Sequence, residues 1–257
     1  MKAIPLLSLL VLLTPLAAQT KTTPAESKPA AAKADLLPNQ QAFLNLPEES
    51  RKAFVKHVTE ATRIFQQKRI IEALAEIEKG AAIFKDSPEL YNLRGSCYVE
   101  MRAFDKAMIE FNEALALSKD NVNVAFNVGE VYFVTKQWQK CSDTFEKILK
   151  QITTSNIALG RLVEFKILLC KKKLGKKDEA AALADKYDYL DDSPYYYYAK
   201  AAAAFEDNNP IKADEWLATC GRIFPDPNAT APWKDTLIEY GYIKGMYGND
   251  APTEDEK

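Results

Sequence analysis

Several residue types that would point to a chemical function are scarce in this chain of 257 residues. It has one histidine and nine glycines, and its net charge is only −2. A general nucleic-acid-binding surface needs an excess of basic residues to release counterions, so this charge balance argues against one. The histidine, His57, has no nucleophile motif beside it, and the sequence has no glycine-rich phosphate loop, no CxxC pair and no His-rich metal spacing. We therefore predict no enzyme activity, no cofactor and no metal, and we interpret His57 as a packing residue.

Long apolar runs are also absent, except at the N-terminus. Lys2 precedes the apolar residues 4–16, and Leu16-Ala17-Ala18 offers a cleavage site. This pattern is typical of a secretory signal peptide. We expect residues 1–18 to be removed and the mature chain to be periplasmic or secreted, with no membrane span. An uncleaved N-terminal anchor is the alternative.

Composition divides the rest of the chain into three parts. Residues 19–46 begin with a stretch rich in Ala, Pro, Lys and Thr, and we expect them to form a flexible linker. Residues 47–247 have helical apolar patterns with short breaks and no credible strand. Residues 248–257 are polar and acidic, which predicts a disordered tail.

Apolar and small residues recur every 34 positions within the helical part. One column holds Ala73, Ala107 and Cys141, and another holds Ile77, Phe111 and Phe145. Further columns with the same spacing are Gly80/Ala114/Ile148, Ala61/Gly95/Gly129 and Ile64/Tyr98/Tyr132. Such a period indicates stacked supersecondary units. The units lie near residues 54–87, 88–121, 122–155, 161–193 and 194–227, and residues 231–246 are expected to form a helix that caps the stack.

The third unit carries the most specific motif. Val128-Gly129, Tyr132, Cys141 and Phe145 resemble the L-G-x2-Y and A-x3-F pattern of the tetratricopeptide repeat (TPR) with conservative changes. The resemblance implies an all-α fold, a right-handed α-solenoid of about five helix–turn–helix units with a C-terminal capping helix. It also implies a non-catalytic scaffold whose partner is a protein or peptide.

The resemblance further implies that the first helix of each unit lines a concave groove. Four consecutive tyrosines, 195–198, cannot all face one core, because each helical residue turns by 100°. We expect Tyr195, Tyr198 and Phe205 to face the groove. The full set of predicted partner-binding residues is Phe65, Asn92, Phe126, Asn127, Phe133, Phe165, Lys166, Leu169, Tyr195, Tyr198 and Phe205. An apolar stripe of this kind suits a peptide or an amphipathic helix.

Two alternatives to an open groove follow from the same pattern. Either segment 39–46 or the insertion near 153–160 folds over the aromatic residues, or the exposed helices pair with a second copy of the chain. The second alternative makes the protein a self-associating structural subunit, for example a homodimer, of an envelope assembly or secretion complex.

The four cysteines, Cys97, Cys141, Cys170 and Cys220, have two interpretations. A disulfide needs Cα atoms within about 7 Å, and packed helices lie about 8–10 Å apart. The only full pairing between neighbouring units is therefore 97–141 with 170–220. We favour four buried thiols instead, because Cys141 and Cys220 occupy small-residue columns.

Overall fold

The computed structural model describes residues 36–152 and 156–244, and within them it contains twelve α-helices and no strand. The predicted signal peptide, residues 19–35 of the predicted linker and the acidic tail lie outside the described residues. The helices are α1 (Pro38–Leu44), α2 (Glu48–Gln66), α3 (Ile70–Ile83), α4 (Pro88–Glu100), α5 (Phe104–Leu117), α6 (Val122–Val134), α7 (Trp138–Leu149), α8 (Ile157–Lys173), α9 (Lys177–Ala184), α10 (Tyr195–Glu206), α11 (Pro210–Ile223) and α12 (Pro227–Tyr240).

Helices α2 to α11 form five consecutive pairs, each joined by a short turn and each packed on the next. The pairs correspond in number and order to the predicted units, so the predicted all-α solenoid of helix–turn–helix repeats is confirmed. Helices α2 and α8 begin before residues 54 and 161, where their units were predicted to start. Neighbouring first helices also contact one another, α2 with α4, α4 with α6 and α8 with α10. We call the surface made by these first helices the inner face.

The turns within the units repeat one backbone conformation. Lys68, Arg102 and Lys136 have left-handed φ angles of 61°, 55° and 59° and are spaced 34 residues apart. Residues other than glycine rarely adopt this conformation. Its recurrence at the repeat spacing therefore supports the register that the apolar columns predict.

Two of the small-residue positions explain how the paired helices approach each other. A Cβ atom added at Gly95 would lie 2.5 Å from Cε1 of Phe111, and one added at Gly129 would lie 2.5 Å from Cε1 of Phe145. Each ring thus packs directly on the backbone of the partner helix. These glycines belong to the scaffold.

Helix α1 was not expected. The prediction of a flexible linker is wrong for residues 38–44, because Phe43 packs on Phe54 and Phe84 with ring centroids 5.2 and 5.4 Å apart. Burial of these rings stabilises the short helix against the first unit. Segment 39–46 therefore does not cover the aromatic residues of the later units.

The last helix also differs from the prediction. It spans Pro227–Tyr240 instead of 231–246, and it packs along α6 and α8, the first helices of the third and fourth units. The expectation that it caps the end of the stack is wrong. The physical reason is its apolar stripe of Trp233, Leu237 and Tyr240, which is buried among the aromatic residues of the inner face.

Candidate functional site

Helix α12 is an amphipathic helix bound to the inner face of its own chain. Trp233, Leu237 and Tyr240 follow one another at helical spacing and are 3%, 0% and 7% exposed. The Asp226 carboxylate accepts a hydrogen bond from the backbone N–H of Asn228 at 2.9 Å and caps the start of the helix. At the other end, Gly241 has a φ of +100°, which ends the helix and turns the chain back.

The first half of α12 is anchored by Trp233. Its ring centroid lies 5.3 Å from that of Phe165, 5.5 Å from that of Tyr198 and 6.3 Å from that of Tyr195. These rings come from α8 and α10. One tryptophan thus fills the space between the first helices of the fourth and fifth units.

The second half is anchored by Tyr240. Its ring lies 5.7 Å from Trp138 and 6.3 Å from Phe133. Just beyond the helix, Tyr242 stacks on Phe205 with centroids 5.2 Å apart and planes inclined by 15°. The aromatic contact of α12 with the inner face therefore extends from the third unit to the fifth.

Most of the predicted partner-binding residues meet at this contact. Six of them are buried in the same apolar cluster as Trp233, Leu237 and Tyr240, namely Phe126, Phe133, Phe165, Leu169, Tyr195 and Tyr198. Phe205 is half-buried beneath Tyr242. The inner face of the third to fifth units is thus occupied by α12. Residues 157–160 of the predicted insertion belong to α8 itself, and residues 153–155 lie outside the described residues.

Phe65 lies apart from this cluster. It belongs to the core of the first unit, where it is 4% exposed and has the Lys68 ammonium 5.7 Å from its ring centroid. The structure does not bring it together with the other predicted residues.

The two predicted asparagines bind each other. The Asn127 amide donates a hydrogen bond to Oδ1 of Asn92 at 2.8 Å, and both side chains are buried. They join α4 to α6. In this conformation they hold adjacent units together and leave little surface for a partner.

Lys166 is buried in an ion pair. Its ammonium lies 2.9 Å from the Glu130 carboxylate and 4.6 Å from the centroid of the Phe133 ring. The side chains of Lys166 and Glu130 are 4% and 9% exposed. The pair lies on the floor beneath α12, where a gap is lined by Glu130, Lys166, Asp235 and Glu239 together with apolar residues.

Further carboxylates collect at the same place. Burial raises the pKa of Glu239, although Arg102 lies 3.8 Å from its carboxylate and opposes the shift. Burial likewise raises the pKa of Glu100, whose carboxylate pairs with Lys68 at 3.0 Å. Oδ2 of Asp235 is buried and has no hydrogen-bond partner among the residues that the structure describes. The contact between α12 and the inner face is therefore apolar at its centre and rich in acidic groups around it.

The remaining candidates for chemistry lie elsewhere. His57 Nδ1 lies 2.6 Å from the Glu76 carboxylate, and Lys79 pairs with the same carboxylate. The four cysteines are buried free thiols, as favoured from the sequence. Within the described ranges, no cluster of three or more His, Cys, Asp or Glu is arranged to hold a metal ion. None of the helices in those ranges combines the length and apolar character needed to cross a membrane.

The occupant of the inner face was not predicted from the sequence. Trp233, Leu237 and Tyr240 were not predicted as site residues, nor were Asp235 and Glu239. The signal was present, because apolar residues at positions i, i+4 and i+7 form a stripe on one side of a helix and such a stripe needs a surface to cover it.

The fold can be compared with that of known proteins. The solved structure from the functional characterization of PilF of Pseudomonas aeruginosa is similar to this chain with a TM-score of 0.54 and 14% identity, covering 75% of this chain and 97% of that one. The crystal structure of YrrB, described as a TPR protein with an unusual peptide-binding site, gives a TM-score of 0.48 and 21% identity over 75% of this chain and 97% of its own. With its five helix–turn–helix pairs at the 34-residue spacing, this chain has the tetratricopeptide-repeat fold that its motifs predict, and the likeness to the first of these structures supports a shared fold.

In sequence, the chain is similar to a DnaJ homolog subfamily C member 3 homolog of Dictyostelium discoideum. The two are 28% identical over 98 residues, which are 37% of this chain and only 20% of that protein. No family model matches the chain.

Proposed function

We propose that the chain is a non-catalytic protein-interaction scaffold that binds a helical segment of a partner protein on its inner face. The observation that supports the proposal best is α12 itself. An amphipathic helix lies on this surface and buries one tryptophan and one tyrosine among rings from three units. Large rigid aromatic side chains are the usual energetic anchors of protein interfaces.

The proposal includes an exported location. The support for it is the apolar run of residues 4–16 after Lys2, followed by Leu16-Ala17-Ala18, a pattern typical of a signal peptide. N-terminal sequencing of the mature protein tests it. A mature chain that begins after residue 18 supports export, and one that retains Met1 in the soluble fraction contradicts it.

In-cell photocrosslinking tests the binding site. A photoreactive residue replaces Tyr198, which lies under Trp233, and a matched residue replaces Ile211, which is 75% exposed on α11. We expect position 198 to yield a crosslink to a second protein, and position 211 not to yield that product. If both positions give the same crosslinked proteins, or if position 198 reacts only with α12, binding on the inner face is contradicted.

A self-associating subunit is the competing function. In that case α12 of one copy lies on the inner face of another, and light scattering finds a dimer at micromolar concentration. A monomer over that concentration range favours a foreign partner.

A further inference from the structure

Helix α12 matches the inner face well in shape and poorly in charge. The apolar stripe of Trp233, Leu237 and Tyr240 is buried throughout. Beside it, Asp235 and Glu239 place two carboxylates against a floor that already holds Glu130 and Glu100. A buried carboxylate is unfavourable unless a cation or hydrogen-bond donors compensate it.

Two of the cations near α12 are committed to carboxylates of the inner face, and a third, Lys173, lies 4.7 Å from the centroid of the Tyr240 ring. The ammonium of Lys166 lies 2.9 Å from Glu130, and that of Lys68 lies 3.0 Å from Glu100. Arg102 reaches Glu239 only at 3.8 Å, from a side chain that is 58% exposed. Oδ2 of Asp235 is left buried without a hydrogen-bond partner in the part of the chain that the structure describes. Asp235 therefore opposes docking of α12, and Glu239 opposes it to the extent that Arg102 compensates its charge only partly.

The backbone of α12 adds an independent weakness. Pro232 lies inside the helix, one residue before the anchor Trp233. A proline at an interior position removes one backbone hydrogen bond and crowds the preceding turn. The helix therefore depends on its contact with the inner face and gains little stability from its own sequence.

From these observations we propose that α12 is a displaceable occupant of the inner face. The partner that displaces it is an amphipathic helix with large apolar residues at the spacing of Trp233, Leu237 and Tyr240 and with uncharged side chains where α12 has Asp235 and Glu239. This inference rests on the proposed function and specifies the chemistry of the partner. A helix of that kind keeps the aromatic contacts of α12 and avoids placing the carboxylates of Asp235 and Glu239 beside Glu130 and Glu100, so it binds the same surface more tightly.

Labelled peptides and the full-length chain test the inference. The probe is a fluorescent peptide of residues 226–243 in which Asp235→Asn and Glu239→Gln remove both charges, and its counterpart keeps the original residues. Binding is measured by fluorescence anisotropy at neutral pH. The receptor is the full chain with Trp233→Ala, because loss of the anchor frees the inner face without changing any residue of that face. We expect the neutral probe to bind at least tenfold more tightly than its acidic counterpart, and equal affinities overturn the inference.

The same probe is then bound to full chains that differ only in α12. The apparent affinity of the probe is its intrinsic affinity multiplied by the fraction of molecules in which α12 has left the inner face. Trp233→Ala should therefore strengthen probe binding at least tenfold relative to the unmodified chain. The double variant D235N/E239Q improves the internal helix and should weaken probe binding at least tenfold. The control is E113Q/D214N, which removes two exposed charges from α5 and α11 and should change the affinity less than twofold.

The outcomes separate this inference from the proposed function. If the probe binds the Trp233→Ala chain but D235N/E239Q behaves like the control, the inner face binds helices and the role of the carboxylates is wrong. If the probe binds no chain while circular dichroism shows that all are folded, both the inference and the proposed function fail. If the unmodified chain forms a dimer that the probe dissociates, the displacing helix comes from a second copy and the inference of a foreign, uncharged helix is overturned.

Discussion

Asn127 and Asn92 are joined by a hydrogen bond of 2.8 Å between adjacent repeats, at positions that are 1% and 5% exposed. The donor is on α6 and the acceptor on α4, so the bond fixes two first helices relative to each other. Sequence analysis assigned both residues to partner binding. Their mutual bond accounts for them as structural residues in the conformation described.

The hydrogen bond between Asn127 and Asn92 should contribute to the stability of the fold. Asn127→Ala leaves Oδ1 of Asn92 buried without its donor, and we expect the free energy of unfolding to fall by about 1–3 kcal/mol. Changing both residues to Leu removes both polar groups at similar volume and should cost less than the single change. Urea unfolding measures both variants. A double variant that loses as much as Asn127→Ala would show that the bond is not the cause.

The glycines beneath the phenylalanine rings predict the sign of the stability change on Gly→Ala substitution. In an exposed helix Gly→Ala is stabilising by about 0.5–1 kcal/mol, because alanine loses less backbone entropy on folding. At Gly95 and Gly129 the new methyl group would lie 2.5 Å from a buried ring, so we expect a loss of about 1–3 kcal/mol from overpacking. Gly221 on α11 serves as the control, because a methyl group added there would meet no atom within 4 Å. At that position Gly→Ala should stabilise the protein, and the same sign at all three positions would contradict this account of the packing.

For the buried ion pair of Lys166 and Glu130, replacing one partner should destabilise the protein more than replacing both. Lys166→Met leaves the Glu130 carboxylate without its cation, and we expect a loss of about 3–5 kcal/mol in unfolding free energy. Replacing both side chains, Lys166→Met with Glu130→Leu, should restore most of that loss. For comparison, Lys52→Met breaks an exposed pair with Glu48 at 2.8 Å, whose side chains are 62% and 68% exposed, and should change the free energy of unfolding far less than Lys166→Met does. Chemical denaturation of the four chains separates these cases.

Docking of α12 should strengthen as the pH falls. Burial raises the pKa of Glu239. The neighbouring carboxylates of Glu130 and Asp235 raise that pKa further, whereas the positive charges of Arg102 and Lys166 oppose the shift. A carboxyl group with a raised pKa binds a proton more readily in the folded chain, so the destabilisation from its charge is absent below its ordinary pKa. That destabilisation grows as the pH rises from the ordinary pKa to the raised pKa, and it is complete above the raised pKa. Glu239→Gln should therefore be more stable than the unmodified chain at neutral pH.

The pH dependence is checked by measuring both chains over a range of pH. The stability difference between Glu239→Gln and the unmodified chain should shrink as the pH approaches the ordinary range of a carboxyl group. A difference that does not change with pH would assign the effect of the substitution to shape and not to charge.

The buried thiols should report on unfolding. Burial raises the pKa of Cys97 and of Cys220 to about 12, which keeps both in the unreactive thiol form at neutral pH. We expect no alkylation of the four cysteines in the folded chain and four labels after denaturation without reductant, as measured by mass spectrometry. Two labels or none after denaturation would indicate disulfides.

The sequence predicts the scaffold better than the site. Columns such as Ala73, Ala107 and Cys141 recur because each unit buries the same face against its neighbour, and a local packing rule of this kind is readable from spacing. The position of α12 is a long-range property. It depends on how Trp233 meets Phe165 and Tyr198, residues far away in sequence that come together only when the solenoid has formed, and no periodic pattern encodes that meeting.

The connection between α11 and α12 has a consequence for any measured affinity. Only residues 224–226 separate the two helices. A short tether of this kind holds a ligand near its site at an effective concentration of the order of millimolar. A free partner at micromolar concentration therefore competes at about a thousandfold disadvantage. A binding constant obtained with the intact chain describes the exchange of one helix for another. The intrinsic affinity of the inner face for a helix is obtained only when the contact of α12 with that face has been weakened.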